Sequence, residues 1–177
     1  MKHLINLIII LSLFTQVSYA QKIKTIKDYK ALNDSIASLI KLVDNDSINY
    51  VGKSFSEFVK QLDNRGLKIM RISIGHTDRL AITQHVYGVC LRFMTQEDMD
   101  FAYDNELSCP YVMIYFAESK PYEKALDLLR KYQAAFTEEV AEFYGDAIVQ
   151  SLYCWWPDDF YKLRRHRNLP IPIDSIE

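Results

Sequence analysis

The spacing of apolar residues changes at Gly66, and this change constrains the fold more than any other feature of the chain. Before Gly66 the apolar residues recur in steps of three and four, the period of an α-helix, and directly after it they recur in steps of two, the period of a β-strand. The stretch 25–44 predicts a first helix, and a capping box formed by Ser54 and Glu57 predicts the start of a second. Gly66 supplies the left-handed exit from that second helix.

Strand-like patterns occur at four places after Gly66. The predicted strands are 67–74, 80–94, 111–116 and 146–156. Thr95 predicts the cap of a short helix after the second strand, and a long helix that Ser119 caps is expected from Pro121 to Gly145. The strand 111–116 is apolar on both faces, which is typical of a central strand that is covered on both sides.

This order of elements predicts an α+β fold. We expect a two-layer sandwich in which a mainly antiparallel sheet of four strands carries its helices on one face. The long helix is expected to form a crossover between the last two strands, right-handed if they are parallel, and Gly88 predicts a β-bulge. Because no Gly- or Ser-rich linker interrupts the chain, residues 21–177 are expected to form one domain with an extended tail at 158–177.

Residues 1–20 have the pattern of a secretory signal peptide. The basic residue Lys2 precedes an apolar run over 4–14, and a small-x-small junction ends at Ala20. A membrane span needs about 20 consecutive apolar residues, so we expect cleavage after Ala20 and no stable span in the mature chain. The junction resembles those of exported proteins of Gram-negative bacteria, which implies a periplasmic or secreted location.

The composition excludes several classes of function. The 177 residues carry 21 basic and 23 acidic side chains, for a formal net charge of −2, whereas a dedicated nucleic-acid binder is usually basic over its domain. No nucleic-acid partner is therefore expected. His76, Asp78 and His85 match no recognised zinc spacing, and the glycines are too scattered for a phosphate-binding loop. We therefore expect no metal and no cofactor.

The three cysteines, Cys90, Cys109 and Cys154, lie in apolar, strand-like surroundings. Buried thiols are the expected state, because unbridged cysteine packs as a small apolar residue. Export favours disulfides, however, and the alternative is a bridge between Cys90 and Cys154, whose predicted strands could be neighbours.

A small hydrolase that depends on a thiol or a histidine is the alternative to a non-catalytic protein. Cys109 precedes Pro110 in a predicted loop, so its thiol is expected to be the most accessible of the three. Its base would have to be His76 or His166, both distant in sequence. No complete catalytic motif is present, which favours a non-catalytic chain.

The densest aromatic stretch, around Trp155 and Trp156, supplies the candidate binding residues. Neighbouring residues on a strand face opposite sides, so one tryptophan is expected near the surface. Tyr161 and a basic cluster with Arg164 and Arg165 follow in the tail. These five residues predict an exported module that binds another protein. The alternatives are a carbohydrate-binding module that uses Trp155 and Trp156, and a purely structural sheet edge covered by the tail.

Overall fold

The computed structural model describes residues 25–77 and 85–156. Its helices and strands, in chain order, are α1 (Ile26–Asn45), a 3-10 turn (Ser47–Asn49), α2 (Phe55–Asn64), β1 (Arg71–Thr77), β2 (His85–Arg92), α3 (Gln96–Asp104), β3 (Tyr111–Pro121), α4 (Tyr122–Lys131), α5 (Glu138–Tyr144) and β4 (Val149–Trp155). The signal pattern at 1–20 and the tail at 158–177 lie outside the described residues.

The sheet confirms the predicted α+β architecture. Its strands lie in the order β1-β2-β3-β4, and each neighbouring pair is antiparallel. The helices pack on one face: α1 contacts β4, and α4 contacts the other three strands. The predicted crossover is wrong, because β3 and β4 are adjacent antiparallel strands that the α4–α5 segment simply connects.

The predicted long helix is two helices with a break between them. Lys131 ends α4, and Gln133 and Ala134 then adopt positive φ angles of 50° and 61°. The backbone of this segment hydrogen-bonds to the edge of β1: Ile72 N donates to Ala134 O, and Phe136 N donates to Met70 O, both at 3.0 Å. Pairing with the sheet edge thus replaces the hydrogen bonds that a continuing helix would make.

The helix starts read from the sequence are largely confirmed. Ser54 and Glu57 form the predicted capping box, and Thr95 caps α3 through a second box with Asp98. Gly66 has a φ of 77° and closes α2 in the left-handed conformation. Ser119 is not a cap, because β3 continues to Pro121 and places the Ser119 hydroxyl 3.2 Å from His85 Nδ1.

The start of β1 and the end of β2 differ from the predicted strand boundaries. β1 begins at Arg71, and residues 67–70 lead into it with Leu67 and Ile69 buried. β2 ends at Arg92, and its register with β3 shifts between Val86 and Gly88, next to the predicted bulge; the extra residues of this irregularity lie on β3, since Val86 pairs with Lys120 and Gly88 pairs with Tyr115. Residues 80–84 lie outside the described part.

The core lies between the helices and one face of the sheet. Val112, Ile114 and Phe116 on β3 point into it and are at most 1% exposed. The alternate residues of the same strand, Tyr111, Met113 and Tyr115, are only partly buried. The prediction that β3 is central is confirmed, and the described helices cover one of its two faces.

Candidate binding surface on the sheet

The sheet face opposite the described helices, here the outer sheet face, is built from residues in matched register. Directly paired residues on adjacent strands share a face, so the pairings define rows that run across the strands. The first row, here the basic–aromatic row, is Arg71, Arg92, Tyr111 and Trp155. The second row is Ser73, Cys90, Met113 and Tyr153.

The basic–aromatic row is a continuous stack over β2, β3 and β4. The rings of Tyr111 and Trp155 lie 5.2 Å apart between centroids and 23° from parallel, a stacked arrangement. The guanidinium of Arg92 lies 5.5 Å from the Tyr111 centroid, as a cation–π pair. Since β3 lies between β2 and β4, Arg92 and Trp155 approach the Tyr111 ring from opposite sides, and both of its faces are in contact with a neighbour.

The β1–β2 half of the row places two positive charges side by side. Arg71 and Arg92 are direct cross-strand partners, and like charges in such positions repel. Arg71 Nη2 donates a 2.7 Å hydrogen bond to Gln133 O, a neutral acceptor. The ion pairs between described residues are Arg65–Asp46, Lys120–Asp146 and Lys131–Glu139, so neither arginine of the row is neutralised by a carboxylate there.

The second row is apolar and closely packed at its centre. Cys90 is 5% exposed, and burial raises the pKa of its thiol, although the Arg92 charge and a hydrogen bond with Ser73 act to lower it. Met113 lies over Gly75, where an added Cβ would collide with the Met113 sulfur. Tyr153, at the β4 end, is 53% exposed. The row therefore offers an apolar surface that ends in an accessible tyrosine.

Of the two predicted binding residues that the structure describes, Trp155 falls on the outer sheet face and Trp156 does not. Trp156 packs against the core on the helix side, where Lys41 Nζ lies 5.9 Å from its ring centroid. The two tryptophans thus face opposite sides, as the strand period predicted. Tyr161, Arg164 and Arg165 lie outside the described residues.

The accessible-thiol prediction for Cys109 is wrong. Cys109 is 5% exposed, and the hydroxyl of Tyr29 on α1 lies 3.4 Å from its sulfur. The same hydroxyl donates a 2.9 Å hydrogen bond to Ser108 O, which fixes α1 against the segment before β3. Burial raises the pKa of Tyr29, so its hydroxyl stays protonated in this contact.

All three cysteines are buried and unbridged, which confirms the buried-thiol interpretation. The proposed neighbours, Cys90 and Cys154, are separated by β3 and point to opposite faces, since Cys90 pairs with Met113 and Cys154 pairs with Val112. Burial, with a smaller contribution from the Asp44 carboxylate, raises the pKa of Cys154 to about 12. Such a thiol stays protonated and unreactive at neutral pH.

The described residues contain no group of three or more His, Cys, Asp or Glu side chains placed to hold a metal ion. None of the helices in ranges 25–77 and 85–156 combines the length and the apolar character that crossing a membrane requires.

Comparison of this chain with models of known families, with curated proteins and with solved structures finds no match.

Sequence reasoning missed three of the four residues in the basic–aromatic row: Arg71, Arg92 and Tyr111. One signal was available, because residues 111, 113 and 115 are Tyr, Met and Tyr, whereas the alternate positions are Val, Ile and Phe. Amphipathic Tyr on one face and wholly apolar residues on the other is the pattern of a strand with one partly exposed face.

Proposed function

We propose that this chain is an exported, non-catalytic module that binds another protein through its outer sheet face. The observation that carries the proposal is the basic–aromatic row, in which partly exposed Arg92, Tyr111 and Trp155 form one stack. Arg, Tyr and Trp are the residue types that dominate binding energy in protein interfaces. Export is supported by the leader pattern of residues 1–20.

A stacked row is pre-ordered for contact with a protein. Each side chain of the stack is held by its neighbour, so little side-chain entropy remains to be lost when a partner binds. The adjoining Tyr153 and Met113 extend the surface with an amphipathic ring and an adaptable thioether.

The geometry favours a protein partner over a glycan. A sugar ring binds by stacking on an open aromatic face, and both faces of Tyr111 already contact Arg92 or Trp155. The two tryptophans cannot form a joint platform, because Trp156 packs on the helix side. The thiol-enzyme alternative loses its support because Cys109 is buried against Tyr29.

Site-specific photo-crosslinking tests the proposal. A photoreactive phenylalanine analogue is placed at Tyr153 on the outer sheet face or, as a matched control, at Tyr103 on α3; these tyrosines are 53% and 45% exposed. We expect one protein to be crosslinked from position 153 and not from position 103. That protein is then purified and titrated against the unmodified chain, and Trp155→Ala should weaken binding by about tenfold or more.

Two results would contradict the proposal. One is equal crosslinking from positions 153 and 103, which would show that the outer sheet face has no preference for a partner. The other is unchanged affinity of the purified partner for Trp155→Ala when a thermal melt shows the variant to be folded.

A further inference from the structure

Deepening the proposed function, on which this inference rests, we infer that the Arg71–Arg92 pair is an anion-recognition site and that the partner presents an acidic segment to it. The two residues are direct cross-strand partners, and their guanidiniums are held by different neutral contacts: Arg71 by the Gln133 carbonyl oxygen at the edge of β1, and Arg92 by the Tyr111 ring on β3. Within the described residues no carboxylate neutralises them. Among residues 25–77 and 85–156, their charge is therefore left for a ligand that brings its own negative group.

The local charge contrasts with that of the whole chain. The formal net charge is −2, so a general attraction between a basic protein and an acidic one does not operate here. The first two rows of the outer sheet face contain two positive side chains, those of Arg71 and Arg92, and no negative one. A carboxylate bound at either guanidinium would lower the repulsion between the two positive residues, and the fork geometry of guanidinium suits a carboxylate well.

The length of the row indicates how such a segment would lie. Neighbouring strands are about 4.8 Å apart, so the row from Arg71 to Trp155 covers about 14 Å. An extended peptide advances about 3.3 Å per residue, so about five residues would cross all four strands. Acidic side chains would then lie over β1 and β2, and an apolar or aromatic side chain would lie over β4, beside Trp155 and Tyr153.

Selection from a library of short random peptides tests this inference with the full chain as bait. We expect the selected peptides to be enriched in Asp and Glu near an aromatic or large aliphatic residue. One selected peptide is then titrated against the variants by fluorescence anisotropy, after thermal melts establish that each variant is folded. Binding should weaken by about tenfold in Arg92→Gln and by about a hundredfold in Arg71→Glu with Arg92→Glu, since charged hydrogen bonds contribute most when their acceptor is ionised.

The matched control is Lys53→Glu with Lys60→Glu, the same change of charge at two exposed positions in and before α2. This variant should bind the selected peptide within about twofold of the unmodified chain at about 0.15 M salt, where exposed charges more than about 8 Å apart are largely screened. An equal loss in the control would overturn the inference, because the effect would then come from net charge and not from the row.

The remaining outcomes separate the two proposals. The selected peptides could lack acidic enrichment, bind normally to the variant Arg71→Glu with Arg92→Glu, and lose binding in Trp155→Ala. That result would overturn the anion site and leave the proposed binding surface intact. If peptide binding changed neither in the double glutamate variant nor in Trp155→Ala, the anion site and the proposed binding surface would both be overturned. Binding of sulfated or uronic-acid oligosaccharides through both arginines, with no acidic peptide selected, would overturn the acidic protein segment as the partner.

Discussion

Glycine at position 88 shows how a single residue shapes the outer sheet face. A Cβ added to Gly88 would lie 2.5 Å from the backbone oxygen of Ile114 on β3 and 3.4 Å from the Tyr115 ring. Because Gly88 has no side chain, β2 and β3 can approach each other closely at this position, and the Tyr115 ring can lie beside its cross-strand partner Gly88. The register shift between Val86 and Gly88 ends the regular pairing of 88–92 with 111–115 from which the rows are built.

We predict that Gly88→Ala destabilises the chain by about 2 kcal/mol, because overpacking against backbone cannot be relieved by a rotamer change. The free energy of unfolding from urea titration measures this. Ser151→Ala, an exposed position in the row of Gly88 and Tyr115, is the control and should change stability by less than about 0.5 kcal/mol. A Gly88→Ala variant as stable as the unmodified chain would contradict the proposed close packing.

At the scale of elements, the break between α4 and α5 is the main departure from the sequence pattern. Ala134 adopts a φ of 61°, which disfavours any residue with a Cβ. This strain is offset by a hydrogen bond, because the Ala134 carbonyl accepts the Ile72 amide hydrogen and covers part of the edge of β1. The segment that closes this edge also supplies Gln133 O to Arg71, so the break helps to position the basic–aromatic row.

We predict that Ala134→Gly stabilises the chain by about 0.5–1 kcal/mol, since glycine adopts positive φ without steric cost. Ala141→Gly, within α5, is the matched control and should destabilise by about 1 kcal/mol, the usual penalty inside a helix. Thermal and urea unfolding of both variants measure the difference. A loss of stability in Ala134→Gly equal to that in Ala141→Gly would mean that the chain is helical through position 134.

Local patterns predicted the helix starts and the fold class but not the surface. Ser54 with Glu57, and Thr95, carry their capping signal within four residues, so sequence was sufficient. The break at Ala134 has no Gly or Pro to mark it, because a distant strand edge causes it. Arg71, likewise, becomes part of a site only through pairing with Arg92, 21 positions later, which no local pattern encodes.

At the scale of the whole molecule, the buried tyrosine hydroxyls and the buried Cys154 thiol must stay protonated in the folded state. Burial raises the pKa of Tyr29 and Tyr144 above the ordinary tyrosine value, and burial with Asp44 raises that of Cys154 to about 12. A group whose pKa is raised in the folded state holds its proton there more tightly than in the unfolded chain. Its contribution to stability is therefore complete below its unfolded pKa and is lost as pH rises toward its folded pKa.

We predict that the free energy of unfolding is constant between about pH 6 and about pH 8 and falls steadily from about pH 9 to about pH 11, by up to about 1.4 kcal/mol per pH unit for each group that ionises only on unfolding. Urea titrations across this range measure the slope. Cys154→Ala should reduce the slope near pH 9–10, where an unfolded thiol ionises at about pH 8.5. A stability profile that is flat to about pH 11 would contradict the neutral burial of these groups.

The central claim is that a partner covers the outer sheet face, and hydroxyl-radical footprinting of the purified complex tests it most directly. Oxidation of Tyr153 and Tyr103 is followed by mass spectrometry for the chain alone and for the chain saturated with the crosslinked partner. The account predicts that the oxidation rate of Tyr153 falls severalfold on binding while that of Tyr103 stays the same. Protection of Tyr103 with unchanged oxidation of Tyr153 would place the contact on the helix side and contradict it.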